Sequence, residues 1–245
     1  MSSAAVQSLE ALLLDRRLGS TLPGLTPPPR LLPTGIEPFD RVLGGGWRMG
    51  TLSELAGRTG TGRTHLLVGT LRQAAAAGQV VALVDALDRF DPASAAGAGL
   101  DLERLLWVRG PSILAEQARP AVLDGAIRLA IRAFDLILRA GGFAVVALDL
   151  RDVPVRRLQA LPAVTWLRLA QVLEGQDTVG LLLADVPLAR SARGVSVVCQ
   201  GEPRWAGTSA QSRRLAGFAP VWTVRSATGI VTSPAGGYGR TSAHG

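Results

Sequence analysis

Between an apolar stretch and a helical one, the chain carries Gly57-Arg58-Thr59-Gly60-Thr61-Gly62-Arg63-Thr64. Residues 50–56 (GTLSELA) read as a short strand and residues 65–77 as a helix. Strand, glycine-rich turn and helix, in that order, let successive backbone N–H groups turn toward a polyphosphate at the helix N-terminus. Loops of this kind follow G-x-x-x-x-G-K-[ST], in which lysine reaches the β- and γ-phosphates and Ser or Thr binds Mg²⁺. The glycines and Thr64 match that pattern, and Arg63 stands where lysine is required. Arginine keeps the charge, but its planar fork is not a compact point charge that fits inside the loop. Gly57, Gly60, Gly62, Arg63 and Thr64 therefore form a candidate but degenerate nucleotide site. The alternative is an ordinary glycine-rich turn.

All 26 basic residues of the chain are arginine, so drift of composition is one origin for Arg63. The origin does not change the consequence for phosphate chemistry. A net charge of +7 favours a polyanionic partner, nucleic acid first, because arginines release counterions from phosphates. Arginines that merely solvate the surface are the alternative. A chain of 245 residues can bury one sizeable core. No apolar run reaches the ~18 residues of a membrane span, and no membrane partner is expected. Glu10 and Asp15 precede the first arginines, the reverse of a secretory signal. The single cysteine, Cys199, excludes a disulfide within the chain and suits a reducing compartment. A cytoplasmic, nucleoid-associated protein is expected. Cys199 lies in an apolar run and reads as core, and His65 and His244 build neither a metal site nor a catalytic triad.

Residues 4–18 place Val6, Leu9, Leu12 and Leu13 on one helical face, and prolines 23, 27, 28, 29 and 33 follow. Residues 1–33 read as a proline-stiffened arm that docks on a partner through that face. A helix folded back on its own domain is the alternative. Residues 34–232 then alternate. Helices are expected at 36–43, 64–77, 120–140 and 161–173, and strands at 51–55, 80–85, 105–108, 143–149 and 178–184. Near-continuous apolar runs such as VVALVD and FAVVALD fit strands covered on both faces, hence a mostly parallel twisted sheet with helices on both sides. Strands at 195–199, 221–225 and 230–232, with no helices between them, predict an antiparallel C-terminal extension. Residues 233–245 carry little apolar content and read as a disordered tail.

Several separated strings resemble the RecA family of recombination ATPases. Residues 34–40 (TGIEPFD), 43–47 (LGGGW) and 49–50 (MG) are similar to its lead-in to the phosphate-loop strand. Val84-Asp85-Ala86, Asp91-Pro92, Leu100-Asp101-Leu102 and Leu105-Leu106 resemble the segment after its second core strand. The likeness covers about residues 31–232 and implies a RecA-like P-loop core. Under it, Asp149 ends its strand as a Walker B carboxylate that could hold Mg²⁺ through water. The departures are three. Arg63 replaces lysine, Leu87 replaces the glutamate that polarises water, and Ala184-Asp185-Val186-Pro187 stands where a γ-phosphate-sensing glutamine belongs.

The spans that hold DNA in RecA-like recombinases are short here, residues 150–159 and 186–194. They still carry Arg151, Arg156, Arg157, Arg190 and Arg193, and with Arg213 and Arg214 these read as a reduced DNA-facing patch or as solvated surface. A truncated RecA-like chain with a decayed nucleotide site resembles the bacterial ImuA family. That resemblance implies an accessory protein of damage-induced translesion synthesis, with RecA, an ImuB-like Y-family polymerase homologue, or single- or double-stranded DNA as partners, the DNA bound weakly and without sequence preference. No catalysis and no cofactor are expected, weak ATP–magnesium binding staying open. The rival readings are a DNA-dependent RecA-family ATPase and a RecA-fold inhibitor of cell division.

Overall fold

The structure is a computed structural model that describes residues 28–114, 119–189, 194–209, 212–226 and 229–233. The chain divides into two compact units between Arg30 and Leu31, and the fold below is that of the second. Eight strands form one sheet in the order β10-β9-β8-β3-β7-β6-β4-β5. They are β3 (Thr51–Ala56), β4 (Val81–Asp85), β5 (Leu105–Arg109), β6 (Val145–Asp149), β7 (Val179–Ala184), β8 (Ser196–Ala206), β9 (Arg214–Ser226) and β10 (Gly229–Thr232). From β8 to β5 the strands are parallel, while β8, β9 and β10 pair antiparallel. A separate two-stranded sheet pairs β1 (Leu31–Leu32) with β2 (Trp47–Arg48).

The continuous apolar runs are explained by what lies on either side of them. On one face Val81, Leu83, Val145, Ala147, Leu181 and Leu183 pack against α1 (Glu37–Leu43), α2 (Arg63–Ala76) and α3 (Pro92–Gly97). On the other, Ala82, Val84, Val146, Leu148 and Leu182 meet α4 (Pro120–Ala140), α5 (Val155–Gln159) and α6 (Ala163–Leu173). Alternate residues of one strand thus serve two cores, which is why both faces of these strands are apolar. Helix α4 begins with Pro120 at its first turn and ends before Gly141, and its buried stripe includes Leu123, Ile127, Phe134 and Leu138. Burying each of these large side chains contributes about 1.5–3 kcal/mol.

The lead-in strings are structural. The Asp40 carboxylate accepts from the Thr34 N–H at 2.8 Å, the Thr34 hydroxyl at 2.8 Å and the Gly35 N–H at 3.2 Å, which closes the turn before α1. Phe39 packs edge-on against Trp47 and Trp222, and the Trp47 indole N–H donates to Thr70 at 3.0 Å. The motif that looks like a family signature is thus a clamp between α1, β2, α2 and β9.

Four expectations are refined. Leu31 and Leu32, placed at the end of the arm, are a strand of this unit; Val6, Leu9, Leu12 and Leu13 lie outside the described residues. The span 150–159 is no open loop, because its second half is α5. Strands β8 and β9 are roughly twice their expected length. Only Ser196–Val198 pair with β3, so the hairpin runs on past the C-terminal ends of the parallel strands. Ser233, placed in the tail, is buried and exchanges hydrogen bonds with Trp222, its hydroxyl accepting from the Trp222 N–H at 2.9 Å. Residues 234–245 lie outside the described residues.

Candidate nucleotide site

Strand β3 delivers the chain to the phosphate loop, and α2 leaves from it. Gly57, Gly60 and Gly62 have φ of 149°, 82° and 88°, and Gly62 is the N-cap of α2. At Gly57 a Cβ would lie 2.4 Å from the Cys199 carbonyl oxygen of β8, so no side chain fits there. The Thr61 hydroxyl donates to the Arg58 carbonyl at 2.7 Å and braces the turn. The loop therefore has the backbone of a phosphate cradle at the start of a 14-residue helix.

Its charged side chains point elsewhere. Arg63 is 3% exposed, and one guanidinium nitrogen donates to the Ala184 carbonyl at 2.6 Å and to Asp185 Oδ1 at 2.8 Å. The sheet register explains the pairing: Ala56 is the partner of Ala184, so the residue after β7 sits beside the loop that follows β3. A buried guanidinium needs an acceptor for its donors, and Asp185, which departs from the expected glutamine, supplies a charged one.

Arg151 lies in the same site. Its Nε donates to both oxygens of Asp149 at 2.8 Å, a terminal nitrogen also meets Oδ2, and the other donates to the Thr64 hydroxyl. A further contact reaches the Arg89 carbonyl at 3.5 Å. The Arg151 side chain is 13% exposed. Burial opposes its charge, yet hydrogen bonds and the charge of Asp149, with Asp85 and Asp152 behind, hold its pKa above the ordinary arginine value. The residues that would grip a nucleotide's Mg²⁺, Thr64 and Asp149, are thus both engaged by a guanidinium. They do not fit that metal as arranged, because Mg²⁺ needs open oxygen lone pairs in an octahedron at about 2.0–2.1 Å.

The surrounding groups also pair within the chain. Both Asp85 oxygens accept backbone N–H groups, from Arg89 at 2.8 Å and Phe90 at 2.7 Å, so this carboxylate closes the turn after β4. Arg89 pairs with Asp152 at 3.0 Å. Leu87 is 1% exposed and packs in the α4 core. Asp88, in a left-handed conformation with φ 60°, is forked to Arg109 at 2.6 and 2.9 Å, and that arginine holds its carboxyl below the usual range. Cys199 is buried beside the loop, and burial pushes its thiol up to about 12 against the pull of Arg63.

Known proteins share part of this chain. It is 29% identical to the RecA protein of Frankia alni over 124 residues, which is 50% of this chain and 32% of that protein. It is 39% identical to RecA of Prochlorococcus marinus over 74 residues, 30% of this chain and 20% of the relative. Against RecA of Methylococcus capsulatus it is 32% identical over 120 residues, 49% and 30% of the two chains. The core is RecA-like. The aligned stretches span a third or less of these relatives, and no family model matches the chain.

Within this RecA-like core the arginines grouped as a DNA-facing patch separate into three kinds. Arg151, grouped with the patch, instead lies beside the phosphate loop, paired with Asp149 and bonded to Thr64. Arg157 is half-buried and ties α5 to α4 through Asp124 at 3.2 Å. Arg156, Arg213 and Arg214 are exposed, with Arg213 over the half-exposed Trp205 ring at 5.4 Å. Arg190 and Arg193 lie outside the described residues. Sequence reasoning missed the roles of Arg151, Asp185 and Arg89. The available signal was position, since Arg151 follows the strand-ending carboxylate by two residues and Asp185 follows the strand beside the loop. A groove of about 660 Å³ lies elsewhere, between α6 and residues 187–189, and its lining carries no catalytic constellation. Among the described residues no helix is long and apolar enough to cross a membrane, and no group of three or more His, Cys, Asp or Glu is placed to hold a metal.

Proposed function

We propose that this chain is a non-catalytic RecA-like accessory protein of damage-induced translesion synthesis, similar in role to the ImuA family. One observation supports the non-catalytic half of the reading: the arginine at the lysine position, Arg63, and the arginine beside Thr64 and Asp149, Arg151, are consumed by the chain's own carboxylates, Asp185 and Asp149, while Arg58 of the loop stands exposed. Phosphoryl transfer depends on positioning and on charge aimed at the transferred group, and these charges are aimed at protein. Leu87, held in the core, offers no oxygen to orient water. The expected partners are RecA, an ImuB-like polymerase homologue, and DNA held weakly by Arg156, Arg213 and Arg214 without reading base edges. The partial likeness to RecA proteins supports this setting.

Steady-state ATP hydrolysis tests the reading, with and without single-stranded DNA. No turnover above background is expected, and Arg63→Lys alone restores none, because Leu87 remains. Turnover near ~1 s⁻¹, inside the ordinary enzyme range, overturns it in favour of a DNA-dependent ATPase. For the arm, Leu9→Asp with Leu13→Asp is expected to abolish capture of RecA or the polymerase homologue while leaving the melting temperature of the core in place.

A further inference from the structure

We propose that the Arg151 guanidinium is a built-in replacement for a divalent cation, seated between Thr64 and Asp149, and that its removal uncovers a metal site which the native chain keeps closed. Three features support this. The contact is a fork along the carboxylate edge: Asp149 Oδ1 accepts from the Arg151 backbone N–H at 3.0 Å and from Nε at 2.8 Å, while Oδ2 accepts from Nε and a terminal nitrogen. The same guanidinium spans to the Thr64 hydroxyl at the first turn of α2, 87 residues away in sequence, so it bridges the two oxygen donors a metal would bridge. Asp149 is 2% exposed and has Asp85 as its register partner on β4, so two carboxylates sit side by side at the strand ends.

One buried positive charge is therefore built into the position. A divalent cation entering beside it meets like-charge repulsion at close range, with its oxygen ligands already taken. Asp152 does not offer an escape for Arg151, since it pairs with Arg89. The consequence is that the end of β6 and the first turn of α2 are cross-linked without nucleotide or metal. In loops that depend on Mg²⁺-nucleotide that cross-link comes and goes with the ligand; here the cation that makes it is a side chain of the protein.

The inference shares its site with the non-catalytic reading, but its test involves neither nucleotide nor turnover, so the two fail separately. Full-length protein, Arg151→Met and Arg151→Met with Asp149→Asn are compared by Mn²⁺ titration, read by electron paramagnetic resonance, and by melting in EDTA and in Mn²⁺. Wild type is expected to melt at the same temperature in both buffers. Arg151→Met is expected to melt lower in EDTA, to regain part of the loss in Mn²⁺, and to bind Mn²⁺ at least about tenfold more tightly than wild type. The added Asp149→Asn abolishes the gain. Arg151→Lys, which folds with a cation retained, stays insensitive to Mn²⁺ and covers the case in which the methionine variant does not fold. Mn²⁺ binding by wild type that Asp149→Asn removes, or equal Mn²⁺ binding by the lysine and methionine variants, overturns the proposal.

Discussion

The phosphate loop and the β8–β9 hairpin use the same residue for opposite purposes. At the loop, Arg63 and Arg151 are almost wholly withdrawn from water and spend their donors on Asp185, Asp149, Thr64 and a carbonyl. On the hairpin, Arg213 and Arg214 stand in solvent, the first laid over an exposed indole. A guanidinium is a structural cross-link where the surrounding backbone supplies acceptors in a dry place, and a displayed charge where it does not. The net charge of +7 counts both kinds alike, although only the second kind is available to a phosphate backbone.

The largest effect is expected at the loop. Asp185→Ala leaves Arg63 buried with only the Ala184 carbonyl, at a cost of about 2–3 kcal/mol by chemical denaturation. This is below the ~3–5 kcal/mol of fully buried pairs because Asp185 is partly in water. Arg213→Ala should change stability by less than about 0.5 kcal/mol. Similar losses at the two positions break the comparison.

The hairpin should dominate where DNA is concerned. Arg213→Ala with Arg214→Ala is expected to flatten the dependence of log affinity on log salt by up to ~2 units, one for each phosphate contact. Arg157→Ala, which breaks the tie to Asp124, should leave that slope alone. If the slope follows Arg157 and ignores the hairpin, the displayed and cross-linking classes have been drawn wrongly.

The smallest effect sharpens the picture with a buried acid. Glu54 on β3 accepts the N–H groups of Leu188 at 2.6 Å and Ala189 at 2.8 Å through one oxygen. Burial raises its carboxyl above the ordinary glutamate value, and the two N–H groups pull partly back. The sign follows: proton binding by Glu54 favours the folded state below the unfolded value of about 4.3, and that contribution is lost as pH rises through the raised folded value. Glu54→Gln keeps an acceptor for both N–H groups and removes the charge. Melting followed from pH 4 to pH 8 should therefore fall less steeply with rising pH in the variant than in wild type. The variant should remain within about 1 kcal/mol of wild type at neutral pH. A larger loss would make the charge itself the anchor of residues 187–189.

Where the sequence carried a local physical rule, it was readable. Helix α4 runs over the expected 120–140 because proline starts it and glycine follows it, and β4, β6 and β7 announce themselves as apolar runs that must be covered twice. The far halves of β8 and β9 leave the sheet and lose that covering, so Gln200, Gly201 and their neighbours give no apolar signal of a strand. Helix α5 is a five-residue turn after Pro154, too short for periodicity to register. The site was half legible. Its glycines declare the backbone shape and Arg151 stands two residues from Asp149, but the meetings of Arg63 with Asp185 and of Arg151 with Thr64 are fixed by strand order and register, which no spacing in the chain encodes.

The packing of Gly57 against the Cys199 carbonyl has a consequence for how such loops are interpreted. Any larger residue at this position would force β8 off β3, so the strand pair alone is sufficient to keep the glycine, with or without a nucleotide. A glycine signature that the scaffold itself enforces is a memory of shape. It persists for as long as the sheet does, and its presence says nothing about whether a phosphate ever visits.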